Sequence, residues 1–125
     1  MLVCAHVREL SSQIADVYKK LTKYTNITVS NLTAGESNES HIIVTTLGKL
    51  SNTLKSRSKK GKLDLSALRC FVVDETDVFF GDQRNLSQLK EIYQRNIVPL
   101  TQKIQYIFFS ATFTEEVKAA IGTFA

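Results

Sequence analysis

Apolar positions along the chain alternate between two spacings. Leu2–Ala5 is a short apolar run that predicts a strand. Leu10, Ile14, Val17 and Leu21 then recur at intervals of four, three and four, the stripe of a helix that opens at Arg8-Glu9. Asn26 closes that segment, and Ile27–Leu32 alternates as a strand does. Thr33–Ser40 is a loop by composition, and His41–Thr45 is a continuous run of the kind found in strands covered on both faces. Thr46–Lys49 reads as a turn before a short helix over Leu50–Leu54. Leu68–Val73 is a second buried-strand run, and Leu86, Leu89, Ile92 and Tyr93 mark another helix, set off by Pro99. Ile104–Phe109 predicts the last strand, with Val117, Ala120, Ile121 and Phe124 as a closing helical stripe. Strands alternating with helices predict an α/β domain built on a largely parallel sheet.

Composition narrows the class. With 43% hydrophobic and 22% charged residues, 125 residues make one domain or part of one, not a disordered chain. No apolar run approaches the roughly 20 residues that span a bilayer. The apolar stretch before Arg8 is too short for a secretory signal, so a cytoplasmic or nuclear setting without membrane contact is expected. Cys4 and Cys70 lie inside apolar runs and are expected as buried free thiols, with a disulfide or metal site as the alternative. Lys55–Lys62 holds five of the cations behind the net charge of +4. It reads as a solvated loop, with an RNA-steering patch or a localisation signal as alternatives. His6 and His41 lack metal-ligand neighbours, and Tyr18, Phe79, Phe80 and Tyr93 read as core.

The candidate chemistry collects at the predicted strand ends. Ligands of open parallel sheets bind beyond the carboxyl ends of the strands. Arg8 follows the first strand, Thr46 and Gly48 the third, Asp74 and Glu75 the fourth, and Ser110 and Thr112 the last. A rigid strand ending in Asp-Glu suits nucleotide hydrolysis. The first carboxylate can hold hydrated Mg²⁺, and the second can orient or deprotonate the attacking water. Taken alone, Asp-Glu could equally be an acidic turn, and Ser-Ala-Thr an N-cap.

Together these segments resemble the DEAD-box RNA helicases, in the first of their two RecA-like domains. Ala5–Gln13 is similar to the family's A-P-T-R-E-L-A-x-Q (motif Ia), and Ala34-Gly35 to its Gly-Gly. Thr46–Lys49 resembles T-P-G-R (motif Ib), Asp74–Asp77 resembles D-E-A-D (motif II), and Ser110–Thr112 matches S-A-T (motif III). Asp74–Val78 and Phe109–Phe113 look most similar to the mRNA-export branch. The resemblance implies a RecA-like three-layer sandwich and a parent enzyme that couples ATP hydrolysis to RNA duplex unwinding or RNP remodelling. It implies Asp74 as the Mg²⁺ residue through water, Glu75 as the hydrolysis residue, and Asp74, Glu75 and Asp77 as the nucleotide-side acids. Ser110 and Thr112 would link the nucleotide and RNA sites around Asp77. Val7, Arg8, Gly35, Thr46, Gly48 and Lys49 would grip the backbone of single-stranded RNA. The implied partners are this RNA, a second RecA-like domain and protein regulators, and the cofactors are ATP and Mg²⁺.

The chain departs from the pattern at His6-Val7 for Pro-Thr, Ala34 for Gly, Leu47 for Pro, Lys49 for Arg and Thr76 for Ala. Neither Gly48-Lys49 nor Gly61-Lys62 belongs to a G-x-x-x-x-G-K-[ST] phosphate loop. Residues 1–125 are therefore expected to be a partial domain, running from motif Ia to just past motif III and lacking the phosphate-loop strand. That leaves the chain inactive alone, and leaves Tyr106–Phe109 as an unpaired edge. The alternative is a degenerate RNA- or protein-binding domain without hydrolysis.

Overall fold

Five strands, β1 (Leu2–Ala5), β2 (Val29–Asn31), β3 (Ile42–Thr46), β4 (Cys70–Val73) and β5 (Gln105–Phe108), form one sheet in the computed structural model, which describes residues 1–56 and 63–124. The helices are α1 (Arg8–Leu21), α2 (Leu47–Lys55), α3 (Thr76–Gly81), α4 (Gln83–Ile92) and α5 (Glu115–Gly122). A 3₁₀ turn over Leu32–Ala34 follows β2, and a π-helical turn over Tyr93–Ile97 extends α4. The sheet order is β2-β3-β1-β4-β5 and every pairing is parallel.

Alternating side chains divide the core into two layers. Leu2, Cys4, Ile43, Phe71 and Val73 face one way and pack with Leu47, Leu50, Phe79, Leu89, Ile92, Val117 and Phe124 from the other four helices and their flanks. Val3, Val44 and Val72 face the other way and pack with Ala15, Ile14 and Tyr18 of α1. Helices thus cover both faces, as the continuous apolar strands require. The connections leaving β1 and β4 run to opposite sides of the sheet. These two adjacent strands therefore form its topological switch point, where α/β sheets open a crevice.

Several expectations need correction. The stripe expected on α1 is rotated: Ser11 and Ala15 are buried, while Val17 and Leu21 are 55% and 72% exposed. Small side chains let the helix settle closely on the sheet, with Ile14 and Tyr18 packed alongside them and Val17 and Leu21 left outside. Helix α2 starts at Leu47 rather than Leu50, because Thr46 caps it by accepting the Lys49 N–H at 3.4 Å. The predicted turn is thus the first helical turn. Strand β2 is shorter than the alternation suggested, since Leu32 already belongs to the 3₁₀ turn. Helix α3 had no periodic signal in its Val-Phe-Phe stretch, and burial of Phe79 and Phe80 holds it in place. Cys4 is buried and Cys70 half-buried, and both are free thiols. Of the cationic run, Lys55 lies 3.6 Å from Glu91 across α2 and α4, while Arg57, Lys59, Lys60 and Lys62 lie outside the described residues.

Candidate functional site at the carboxyl edge of the sheet

Strand β4 delivers Asp74 and Glu75 to the switch point. The Asp74 N–H donates to the Cys4 carbonyl at 3.1 Å, which pins the end of β4 to the end of β1. Asp74 Oδ1 accepts the Glu75 N–H at 2.9 Å. Glu75 is left-handed, with φ of 50° and ψ of 50°, and sits at the N-cap of α3. A β-carbon in this region is strained, and such strain concentrates at functional sites. The chain therefore turns sharply off the strand and presents both carboxylates at the sheet edge. Thr76, where the resembled motif has Ala, is fully buried, and its hydroxyl is satisfied by donating to the Val73 carbonyl at 3.2 Å.

The segment after β5 is tied to this turn. The Thr76 N–H donates to the Phe109 carbonyl at 2.9 Å, and the Asp77 N–H donates to Ser110 Oγ at 3.2 Å. Ser110 Oγ donates in turn to the Thr112 carbonyl at 2.6 Å, and Thr112 Oγ1 donates to Asp77 Oδ2 at 3.0 Å. The Thr112 hydroxyl is the main reason the Asp77 carboxyl is held below the usual aspartate range, with the Ser110 hydroxyl adding to it. Asp77 and the Ser-Ala-Thr segment are thus one hydrogen-bonded unit.

A second cluster lies on the far side of β1. Val7 is the exposed residue that opens α1, and its side chain makes no capping bond. Arg8 Nη2 reaches the Thr33 carbonyl at 3.5 Å; among the described residues no carboxylate pairs with Arg8. Thr33 Oγ1 accepts the Thr46 N–H at 2.8 Å and lies 3.3 Å from Thr46 Oγ1, joining the 3₁₀ turn to the start of α2. Gly35 has φ of +81°, a conformation that favours glycine, and it ends that turn. Gly48 and Lys49 are exposed in the first turn of α2. The turn is braced from behind. Ser11 Oγ donates to Asn31 Oδ1 at 2.7 Å, and Glu36 Oε1 accepts the Asn31 N–H at 2.9 Å and pairs with Lys19 at 3.0 Å.

The edge therefore holds two groups. Asp74, Glu75, Asp77, Ser110 and Thr112 converge beyond β4 and β5, and Val7, Arg8, Gly35, Thr46, Gly48 and Lys49 lie beyond β1, β2 and β3. Asp74 is half-buried with one oxygen engaged, a donor set that fits outer-sphere Mg²⁺ held through water. No cluster of three metal-binding side chains exists among the described residues. Sequence reasoning missed Thr33 and Glu36, whose polar loop setting carries no periodic signal, and Asn31, a polar residue at the end of β2. It also missed His6, read as core or surface, whose Nδ1 lies 3.0 Å from Glu75 Oε2.

A sequence model of the DEAD/DEAH box helicases matches residues 1–120. The chain belongs to the DEAD/DEAH box helicase family. Among curated relatives of this helicase-family chain, ATP-dependent RNA helicase DBP5 of Mycosarcoma maydis is 33% identical over 93% of the chain and 25% of its own length. ATP-dependent RNA helicase RhlB of Pseudomonas syringae pv. tomato is 32% identical over 93% of the chain and 30% of its own length. The chain thus spans less than a third of either relative. Saccharomyces cerevisiae Dbp5 bound to RNA and ADP BeF3 superimposes with a TM-score of 0.80 at 25% identity, covering 99% of the chain and 31% of that protein. The yeast splicing factor Prp28 superimposes with a TM-score of 0.81 at 23% identity over 98% of the chain and 30% of that protein, a likeness of fold. The DBP5 matches are compatible with the mRNA-export branch.

Proposed function

We propose that residues 1–125 form the motif Ia-to-III part of the first RecA-like domain of an ATP-dependent RNA helicase. The supporting observation is the hydrogen-bonded unit in which Ser110 and Thr112 clasp Asp77 directly behind the Asp74-Glu75 turn. Mg²⁺ supplies charge neutralisation at the phosphates when bound, and Asp74 would hold it through water. Glu75 takes the proton of the attacking water. A movement of the Ser110–Thr112 segment shifts α3 through Asp77, so these residues couple hydrolysis to what the neighbouring segments bind. Arg8, Thr46, Gly48, Lys49, Val7 and Gly35 contact the sugar–phosphate backbone of single-stranded RNA. Side-chain cations and exposed backbone N–H groups there read charge and not base. A second RecA-like domain and protein regulators complete the parent enzyme.

The decisive assay is ATP turnover, with and without RNA, by the 125-residue chain and by the same chain joined to the phosphate-loop segment and second domain of a relative. The chain alone should stay at background, because its sequence holds no G-x-x-x-x-G-K-[ST] phosphate loop to meet the β- and γ-phosphates. The joined protein should show RNA-stimulated turnover that Glu75→Gln abolishes. An inactive joined protein that still binds RNA would establish the binding-only alternative. Turnover by the short chain itself, lost in Glu75→Gln, would overturn the dependence on a phosphate loop. Arg8→Ala and Lys49→Ala should each weaken RNA binding alike for every sequence and flatten the salt slope by about 1. A base preference at equal length and salt contradicts the assignment.

A further inference from the structure

His6 stands where the resembled motif Ia has Pro, directly after β1, so the switch point here carries an imidazole in place of a ring without a donor. Its Nδ1 is buried, and its nearest charged neighbour is Glu75 Oε2 at 3.0 Å. The distance suits a hydrogen bond, yet Nδ1 has no hydrogen-bond partner among the described residues. The ring is held edge-on to Phe79, with centroids 6.3 Å apart and planes at 77°, and Phe79 is fully buried in α3. On the other side of the contact, Glu75 has a left-handed backbone, and its side chain reaches His6 just past the end of β1.

We propose that His6 is a positioning residue that holds the Glu75 carboxylate through a protonated Nδ1. An unprotonated Nδ1 would turn its lone pair toward a carboxylate oxygen 3.0 Å away, which is repulsive and leaves a buried nitrogen unpaired. With the proton on Nδ1, a small rotation of the ring aligns the N–H with Oε2, and both groups are satisfied. Among the described residues nothing bonds Glu75 Oε1, and the Glu75 side chain is 43% exposed, so that oxygen stays open to water. His6 thus fixes one carboxylate oxygen and leaves the other to accept a proton. This role rests on the reading of Glu75 as the residue that handles the attacking water, whereas the contact itself does not.

Ring ¹⁵N NMR of the 125-residue chain tests the contact without any need for hydrolysis, so a failed role for Glu75 and a failed contact are separable. The chain has two histidines, and His41 serves as the internal reference. Its Nδ1 accepts the Thr28 N–H at 3.0 Å, so its proton sits on Nε2. At about pH 8, where an ordinary imidazole is neutral, His6 should show a protonated Nδ1 and His41 a bare one. Glu75→Ala should return His6 to the Nε2–H form. A bare His6 Nδ1 in the unaltered chain, or a His6 signal that Glu75→Ala leaves unmoved, overturns the proposal. If Glu75→Ala does not fold, the unaltered chain still decides it, since the carboxylate only accepts and Nδ1 must then carry the proton.

Discussion

Ser11→Ala removes one oxygen from a fully buried helix position, and the brace behind the Gly35 turn should register it. Ser11 is 0% and Asn31 4% exposed, so no water can replace the hydroxyl that donates to Asn31 Oδ1 at 2.7 Å. Among the described residues that oxygen has no second donor. A stranded buried acceptor costs about 1–3 kcal/mol. Alanine regains about 0.5 kcal/mol through its higher helix propensity, leaving a net loss of about 0.5–2.5 kcal/mol. Urea unfolding followed by circular dichroism measures it. With a slope of about 2 kcal/mol/M, the midpoint should fall by roughly 0.25–1.25 M at unchanged slope. Asn31→Ala removes the same bond from the other end, together with the bond from Asn31 Nδ2 to Ser12 Oγ. The double variant should therefore lose less than the sum of the two, by about 1 kcal/mol. A neutral or stabilising Ser11→Ala, or strict additivity of the pair, would refute the view that this bond joins α1 to the turn.

Strand β5 pairs with β4 alone among the described strands, and its Tyr106, Ile107 and Phe108 are only half-buried. The 125-residue chain should therefore self-associate by light scattering, and an added upstream strand should suppress this; a monodisperse monomer would show that the edge is covered otherwise. The Asn31 N–H and then Lys19 hold the Glu36 carboxyl below its usual range, and the Thr112 hydroxyl does the same for Asp77. Depressed carboxyls stabilise above their unfolded values of about 4 and lose that contribution as pH falls through the folded values, so the midpoint of thermal unfolding should drop in acid. Glu36→Gln should flatten that drop, and a pH profile indifferent to the substitution would count against the brace. Burial pushes the Cys4 thiol up to about 12, so Cys4 should resist alkylation at about pH 8 until the chain unfolds. Rapid labelling of Cys4 in folded protein, read by mass spectrometry, would contradict its place in the core.

The alternation of apolar runs and helical stripes specifies the α/β class, because strands covered on both faces cannot carry polar alternation. The short motifs mark the strand ends, because strand-terminal loops are where an open sheet can hold polar groups without burying them. Residue order alone therefore places Asp74-Glu75, Ser110-Ala-Thr112, Arg8 and Thr46 on one edge. It does not show which of them touch. That Asp77 is clasped by Thr112 depends on β4 and β5 being neighbours 35 residues apart in sequence. Thr33 and Glu36 acquire their partners only through the turn that Gly35 closes. Periodicity points to the wrong face of α1 for a related reason: it locates a stripe by apolarity, whereas the sheet selects Ser11 and Ala15 for their small size. His6 marks the limit most clearly. Its neighbours in sequence are apolar or ordinary helix-start residues, and only the pairing of β1 with β4 brings its Nδ1 to Glu75, 69 residues later. Local pattern encodes which elements form and where polar groups collect. Contacts between strand ends arise from the order of strands in the sheet, which long-range packing decides.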